Sequence, residues 1–363
     1  MQGRYTVTTP NYTIGAEAYE KIREVCPRYG KTIVVIGGRR GIEAAQEKMI
    51  KAVEGVGMEF TGFINGGGLT TYETIDVISR DPAVEEADIV FAVGGGRAMD
   101  TAKIVADRLH KPYFTLPTVA GSCSACSRIA TIYTPDGKFL EYASAEMPPV
   151  HVFLCSRILS SAPSEFLLRG IGDTMAKCYE AQIAARGQKL THRDGIGVAL
   201  AGRCAGPIYE FGAQAIEDNK NHRVTDAFEE VALAVIMTSG LVSNFAAPEY
   251  HGQIAHAVFA ELATLPENER CSHHGGLAAY GILLLLLCDK QQEEFERFYA
   301  FCETVGLPTC RQDIGASEEE IRRVFRLAVQ KQNSQPLPYK VTQKMLNGAA
   351  EELEAYHQKK HQA

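Results

Sequence analysis

The chain is predicted to be an α/β protein in two parts: a doubly wound parallel-sheet domain, then an all-helical domain. Three observations predict this. Short, apolar, β-branched runs alternate with stretches of helical period through the first part. Two of those runs end in glycines, Gly37 with Gly38, and Gly94 with Gly95 and Gly96, at strand-to-helix turns. After about residue 160 the alternation stops and almost only helical patterns follow, so the division expected is 1–160 and 161–363.

The elements follow in order. KTIVVIGG is a strand and GIEAAQEKMIKAVEGVG a helix; MEFTGFI is a strand and TTYETIDVISRDP helical. DIVFAV is a buried strand, with RAMDTAKIVADRLHK as its helix, and PYFTLPT is another strand. RIATIYTPDGKFLEYAS reads as a β-hairpin around PDGK, and PPVHVFLC closes the sheet region. SAPSEFLLRGIGDTMAKCYEAQIAARG then opens a helix whose start signal is Ser161 to Glu165. TDAFEEVALAVIMTSGLVSNF and EEIRRVFRLAVQKQ are helical, while the polar end YHQKKHQA is expected to fray.

Composition narrows the function. A chain of 363 residues with 45% hydrophobic and 22% charged residues can build two cores. A net charge of -7 argues against nucleic acid bound on a basic surface, yet leaves room for a local cationic pocket. The start, MQGRYTVTTPNY, has no apolar signal-peptide core, and the longest apolar run, GILLLLLC, is too short to span a bilayer. A cytoplasmic protein is expected, with small-molecule substrates, no membrane or nucleic-acid partner, and a homo-oligomeric state. Its ten cysteines are then expected as free thiols, and Cys123-x-x-Cys126 as a chance pair.

Four places carry chemistry. The first is the turn FAVGGGRAMDTAK. Glycines allow positive φ and close approach of a ligand, and the helix behind them presents unpaired N–H groups to an anion. A plain tight turn would use the same residues. The second is VVIGGRRG, where Gly37 and Gly38 leave space, and Arg39 and Arg40 can fork onto a phosphate. A solvated basic turn is the other account. The third is Asp173 with Lys177, four apart on one helical face. The fourth is HGQIAHAVFAELATLPENERCSHHGG, with His251, His256, His273 and His274. With Asp173 such a cluster can bind a divalent metal and leave a position open, although spacing alone does not show that these groups meet.

These residues resemble the iron-containing alcohol dehydrogenase superfamily, in its glycerol dehydrogenase-like branch. GGGRAMDTAK, PTVAGSCSACSRIATIYTPDG, GIGDTMAKCYEA, AHAVFAEL and HHGGLAAYGIL are similar to its motifs and come in its order. The resemblance implies a dehydroquinate synthase-like fold, with Asp173, His256 and His274 as metal ligands. His274 is preferred to His273 because it precedes a glycine. It implies cofactor contacts from Gly94, Gly95, Gly96, Asp100, Thr118, Ser122 and Ser127, with Ile129 and Tyr133 near the nicotinamide.

Three departures refine the expectation. Lys177 stands where iron-dependent members have a histidine, which favours zinc over iron. Cys123 stands where glycerol dehydrogenases have an aspartate that contacts the polyol. Gly37, Gly38, Arg39 and Arg40 replace the acid typical of NAD-preferring members, so NADP(H) is favoured over NAD(H). The hydroxycarboxylate dehydrogenases are most similar in these features. The activity expected is therefore interconversion of 2-oxo and 2-hydroxy acids, with Cys123 and Lys177 at the substrate. The alternatives are a glycerol or other polyol dehydrogenase using NAD, or a lyase like dehydroquinate synthase. A fold-keeping binding protein is disfavoured by the intact candidate ligands.

Overall fold

The computed structural model describes residues 6–265, 274–332 and 337–362. Eight strands lie in the first half: β1 (Asn11–Gly15), β2 (Thr32–Gly37), β3 (Glu59–Asn65), β4 (Ile89–Gly94), β5 (Tyr113–Pro117), β6 (Ile129–Tyr133), β7 (Phe139–Ser144) and β8 (His151–Cys155). Between and after them run α1 (Ile22–Val25), α2 (Arg39–Val53), α3 (Tyr72–Ser79), α4 (Pro82–Glu86), α5 (Gly96–Arg108) and α6 (Ser156–Ser161). The second half holds α7 (Ser164–Ala185), α8 (His192–Lys220), α9 (Asp226–Leu233), α10 (Ser239–Phe245), α11 (Ile254–Leu262), α12 (His274–Cys288), α13 (Gln292–Val305), α14 (Glu318–Gln332) and α15 (Gln343–His361).

Six strands form one parallel sheet in the order β1-β8-β5-β4-β2-β3, and β6 pairs antiparallel with β7 as the expected hairpin. The chain runs outward from β2 to β3, then returns to β4 on the other side of β2. Strand order therefore reverses between β2 and β4, and a ligand crevice is expected outside the carboxyl ends of those two strands. Gly37 and Gly94 end them.

Both faces of the sheet are covered, which is why β2 and β4 read as unbroken apolar runs rather than alternating ones. Ile33, Val35, Phe91, Phe114 and Phe153 pack on one side against α2 and the N-terminal turns. Val34, Ile36, Val90, Ala92, Val152 and Leu154 face the other side and belong to a core continuous with the helical half. Burying one such side chain is worth about 1.5–3 kcal/mol. In α12, Ile282, Leu283, Leu284, Leu285 and Leu286 are all fully buried. The segment Asp226–Phe245 is long and apolar enough to cross a membrane by length and composition, but 67% of it is buried inside the protein.

Two elements differ from expectation. β1 was not foreseen: NYTIG offers little apolar signal, yet it pairs along the whole of β8 at the sheet edge, and Thr13 Oγ1 lies 2.9 Å from His151 Nε2. The C-terminus does not fray, because α15 continues to His361. Lys360 and His361 both reach Glu303 on α13, the second at 3.0 Å, and His357 Nδ1 lies 2.7 Å from the Tyr299 hydroxyl.

Candidate active site between the sheet and the helices

At the carboxyl ends of β2 and β4, glycines let two turns touch. Gly94 has φ +130°, a conformation that side chains with a Cβ rarely adopt. A Cβ on Gly37 would stand 2.4 Å from the Val93 carbonyl oxygen, and one on Gly41 would stand 2.7 Å from Gly94 Cα. The turn after β2 thus lies on the turn after β4, and Gly38 donates its N–H to Val93 O at 3.3 Å. Gly95 caps α5 and Gly96 is its first residue, so the unpaired N–H groups of that helix open beside the crevice. Arg39 and Arg40 are the first two residues of α2 and are exposed; Arg39 Nε lies 3.9 Å from Glu43 Oε1.

The segment after β5 forms one wall. Thr118 donates its N–H to Gly94 O at 3.0 Å, and Ser122 Oγ would lie 3.2 Å from a Cβ on Gly96. Ser127 accepts from the N–H of Ile129 at 3.0 Å, and Tyr133 ends β6 with the Arg97 guanidinium 6.0 Å from its ring. Thr118 and Ser122 thus lie against the glycine turn, while Ser127 and Tyr133 lie further along the same chain segment. Asp100 has a different occupation. One of its oxygens accepts from Ser124 and from Lys103 at 3.2 Å, and the other from the N–H of Thr131 at 3.0 Å. It braces α5 against the hairpin. Lys103, which sequence reasoning passed over, is fully buried there and donates to Ile129 O at 2.5 Å.

Glycines also bring the helical half down onto this wall. A Cβ on Gly170 of α7 would stand 2.4 Å from Ala120 O, and one on Gly240 would stand 2.5 Å from Cys126 Cβ. A Cβ on Gly281 of α12 would stand 2.7 Å from Ala255 O of α11. Asp173 follows Gly170 by less than a turn, and His256 follows Ala255, so these close approaches set where the two side chains meet.

Their geometry is specific. His256 Nε2 lies 3.2 Å from Asp173 Oδ1. The other ring nitrogen, Nδ1, is 2.5 Å from Glu180 Oε2, and the His256 N–H donates to Glu180 Oε1 at 3.0 Å. Burial alone would lower the pKa of His256, but the Glu180 and Asp173 carboxylates outweigh it and raise it to about 10. His251 is also buried; desolvation, with the Lys177 and His256 charges, lowers its pKa to about 4. Lys177 is held protonated: burial opposes its charge, and Asp173 and Cys123 outweigh that. Its Nζ sits 2.8 Å from Cys123 Sγ, 3.4 Å from Ser243 Oγ and 3.5 Å from Asp173 Oδ2. The pairing with Asp173 is present, and Glu180 is held by His256.

His274 opens α12, but its side chain lies outside the described residues, as do His273 and Cys271. The nine described cysteines are free thiols. Cys123 and Cys126 have different partners, because the Cys126 thiol donates to Met237 O at 3.6 Å. Glu180 and Ser243 were not assigned a site role from sequence. Glu180 carried a usable signal, since it lies two turns after Asp173 on the same face; Ser243 carried none.

The family model for iron-containing alcohol dehydrogenase matches residues 9–155. Glycerol dehydrogenase of Thermotoga maritima is 33% identical over 338 residues, covering 90% of each chain. The chain belongs to the iron-containing alcohol dehydrogenase family. It is an oxidoreductase acting on CH–OH groups, in a family whose chemistry is metal-dependent and NAD-linked. Hydroxycarboxylate dehydrogenase A of Escherichia coli is 31% identical over 330 residues, covering 89% of each chain. Among solved structures, a probable glycerol dehydrogenase from Sinorhizobium meliloti superposes with a TM-score of 0.82 at 27% identity, covering 97% of this chain and 99% of that one.

The residues present fit a metal of this dehydrogenase family. A carboxylate oxygen and an imidazole nitrogen 3.2 Å apart match two ligands of one ion bound at about 2.0–2.2 Å each. The far ring nitrogen already has the carboxylate partner that metal-binding histidines use.

Proposed function

We propose that the protein is a metal-dependent, nicotinamide-linked dehydrogenase of small neutral polyols, with a vicinal diol such as glycerol as the substrate class. The observation that carries this is the position of Lys177. Its three N–H donors are matched by three protein acceptors, Asp173, Cys123 and Ser243, so the charge is consumed inside the protein. That arrangement does not need a substrate carboxylate. The relatives named glycerol dehydrogenase support the same reading.

In this proposal Asp173, His256 and His274 hold the metal, with Zn²⁺ favoured because Lys177 removes a fourth nitrogen ligand. When bound, the metal supplies a Lewis acid for the substrate oxygen and the nicotinamide exchanges the hydride. The chain's own residues do the rest. Gly94, Gly95, Gly96 and the first turn of α5 bind the cofactor diphosphate. Thr118, Ser122 and Ser127 hold the segment above it, and Ile129 and Tyr133 line the nicotinamide. Arg39 and Arg40 take a 2′-phosphate, which favours NADP(H). We place the division between the cofactor-binding and metal-binding parts at about residue 160, between β8 and α7.

A second reading, 2-hydroxy acids as substrates, is favoured by Cys123, which offers a polyol no carboxylate at the wall facing Lys177. The relative hydroxycarboxylate dehydrogenase A points the same way. One experiment separates the two. Glycerol, 1,2-propanediol, glycolaldehyde and a series of 2-hydroxy and 2-oxo acids are assayed with both cofactors, following absorbance of the reduced nicotinamide. Higher kcat/KM for the diols is expected. Turnover of 2-oxo acids with no use of diols refutes the proposal and selects the second reading.

A further inference from the structure

Glu180 is fully buried and makes two contacts to one residue. Its Oε1 accepts the backbone N–H of His256 at 3.0 Å, and its Oε2 lies 2.5 Å from the ring Nδ1. A carboxylate accepts hydrogen bonds and donates none. The proton in the ring contact therefore sits on Nδ1, and Nε2, which also faces a carboxylate in the metal-free chain, is the nitrogen on which a metal would replace the proton. That nitrogen faces Asp173 Oδ1 at 3.2 Å. Glu180 also reaches across two helices, from α7 to α11, while gripping main chain and ring together. A carboxylate that touched only the ring would leave the imidazole free to swing with α11. This one fixes the helix N-terminus and the ring plane with the same group.

We infer that Glu180 is a positioning residue for the metal centre: it sets the orientation and tautomer of His256 so that Nε2 is presented, ready to ligate, beside Asp173. The inference rests on the reading of Asp173 and His256 as metal ligands. Lys177 cannot substitute for Glu180, because an ammonium has no acceptor.

The discriminating variant is Glu180→Gln. A glutamine has one carbonyl oxygen, so it satisfies either the backbone N–H or the Nδ1–H and presents an amide N–H to the other. If the amide donates to Nδ1, the ring proton moves to Nε2 and blocks the ligand nitrogen.

The experiment measures Zn²⁺ affinity of the full chain by competition with a chromophoric chelator, and records the visible spectrum with Co²⁺ in its place. Thermal unfolding of the metal-free protein is followed in parallel, and His256→Ala is the control. Glu180→Gln is expected to weaken Zn²⁺ binding about 10–100-fold and to change the Co²⁺ spectrum. Its metal-free melting curve should stay close to that of the unmutated protein. Should Glu180→Gln not fold, Glu180→Asp is used. Its carboxylate is one methylene short of both donors, and the same weakening is expected. Unchanged Zn²⁺ affinity and Co²⁺ spectrum in a folded Glu180 variant, with the metal lost from His256→Ala, overturns the positioning role alone. Metal retained by His256→Ala overturns the ligand assignment, and the inference with it.

Discussion

Replacing Lys177 by methionine keeps the apolar stem and removes the ammonium, and its consequences separate the two accounts of this residue. The Lys177 side chain is 9% exposed and the Asp173 side chain 22%, so the pair is largely out of water. Removing one partner of a buried pair costs about 3–5 kcal/mol, because the other charge is left unmet. Here Asp173 keeps His256 at 3.2 Å and some solvent, which reduces the loss to about 2–3 kcal/mol in the metal-free protein. A bound metal would meet the Asp173 charge directly, so the loss should shrink when Zn²⁺ is present. Urea unfolding of both proteins, in chelator and in excess Zn²⁺, reads this difference. The same variant is assayed with a 2-oxo acid and with a neutral hydroxy carbonyl of similar size. If Lys177 is consumed internally, both substrates lose activity in parallel. Unchanged metal-free stability together with a rise in KM for the 2-oxo acid alone would refute the reasoning, since the ammonium would then have been serving the substrate.

Three further perturbations test the rest of the site. His256→Ala should remove stoichiometric metal and activity together while the fold is kept; full activity in a variant shown to be metal-free would sink the ligand assignment. Changing Arg39 and Arg40 to alanine should weaken NADPH use by about 1–3 kcal/mol in kcat/KM if one guanidinium pairs with the 2′-phosphate, with NADH little affected. Equal use of both cofactors by the unmutated protein would contradict that. Gly170→Ala places a Cβ 2.4 Å from Ala120 O and 2.5 Å from Val235 Cγ1. It should cost about 1–3 kcal/mol and raise the cofactor KM by shifting the segment that carries Thr118 and Ser122. An unchanged melting temperature and KM would show that α7 can back away freely.

The α/β half was legible because its signals are local. β2, β4, β5 and β8 are buried on both faces, so each shows as a short apolar run, and the turns that follow two of them need glycine at close approaches visible in sequence. β1 escaped because an edge strand with exposed and half-buried side chains has little apolar pattern to show. The C-terminal turn of α15 escaped for a different reason. Its hold on Glu303 and Tyr299 comes from α13, and nothing near YHQKKHQA in the sequence announces that neighbour.

The metal centre shows where local reading stops. Asp173 and Lys177 were legible as a pair because four residues along a helix is a contact by geometry alone. His256 was a candidate by type, but its meeting with Asp173 depends on α11 lying beside α7. That in turn depends on glycines such as Gly281, whose sequence neighbourhood looks like any apolar helix. Glu180 shows the same limit from the other side. Its spacing from Asp173 put it on the correct face, yet two carboxylates on one face could equally both have been ligands. Only the tertiary contact assigns them different work: Asp173 meets Nε2, while Glu180 takes Nδ1 and the backbone N–H. The division of labour follows from which ring nitrogen each carboxylate reaches. A helix that carried the two acids one turn differently would keep the composition of this site and lose the orientation of its histidine.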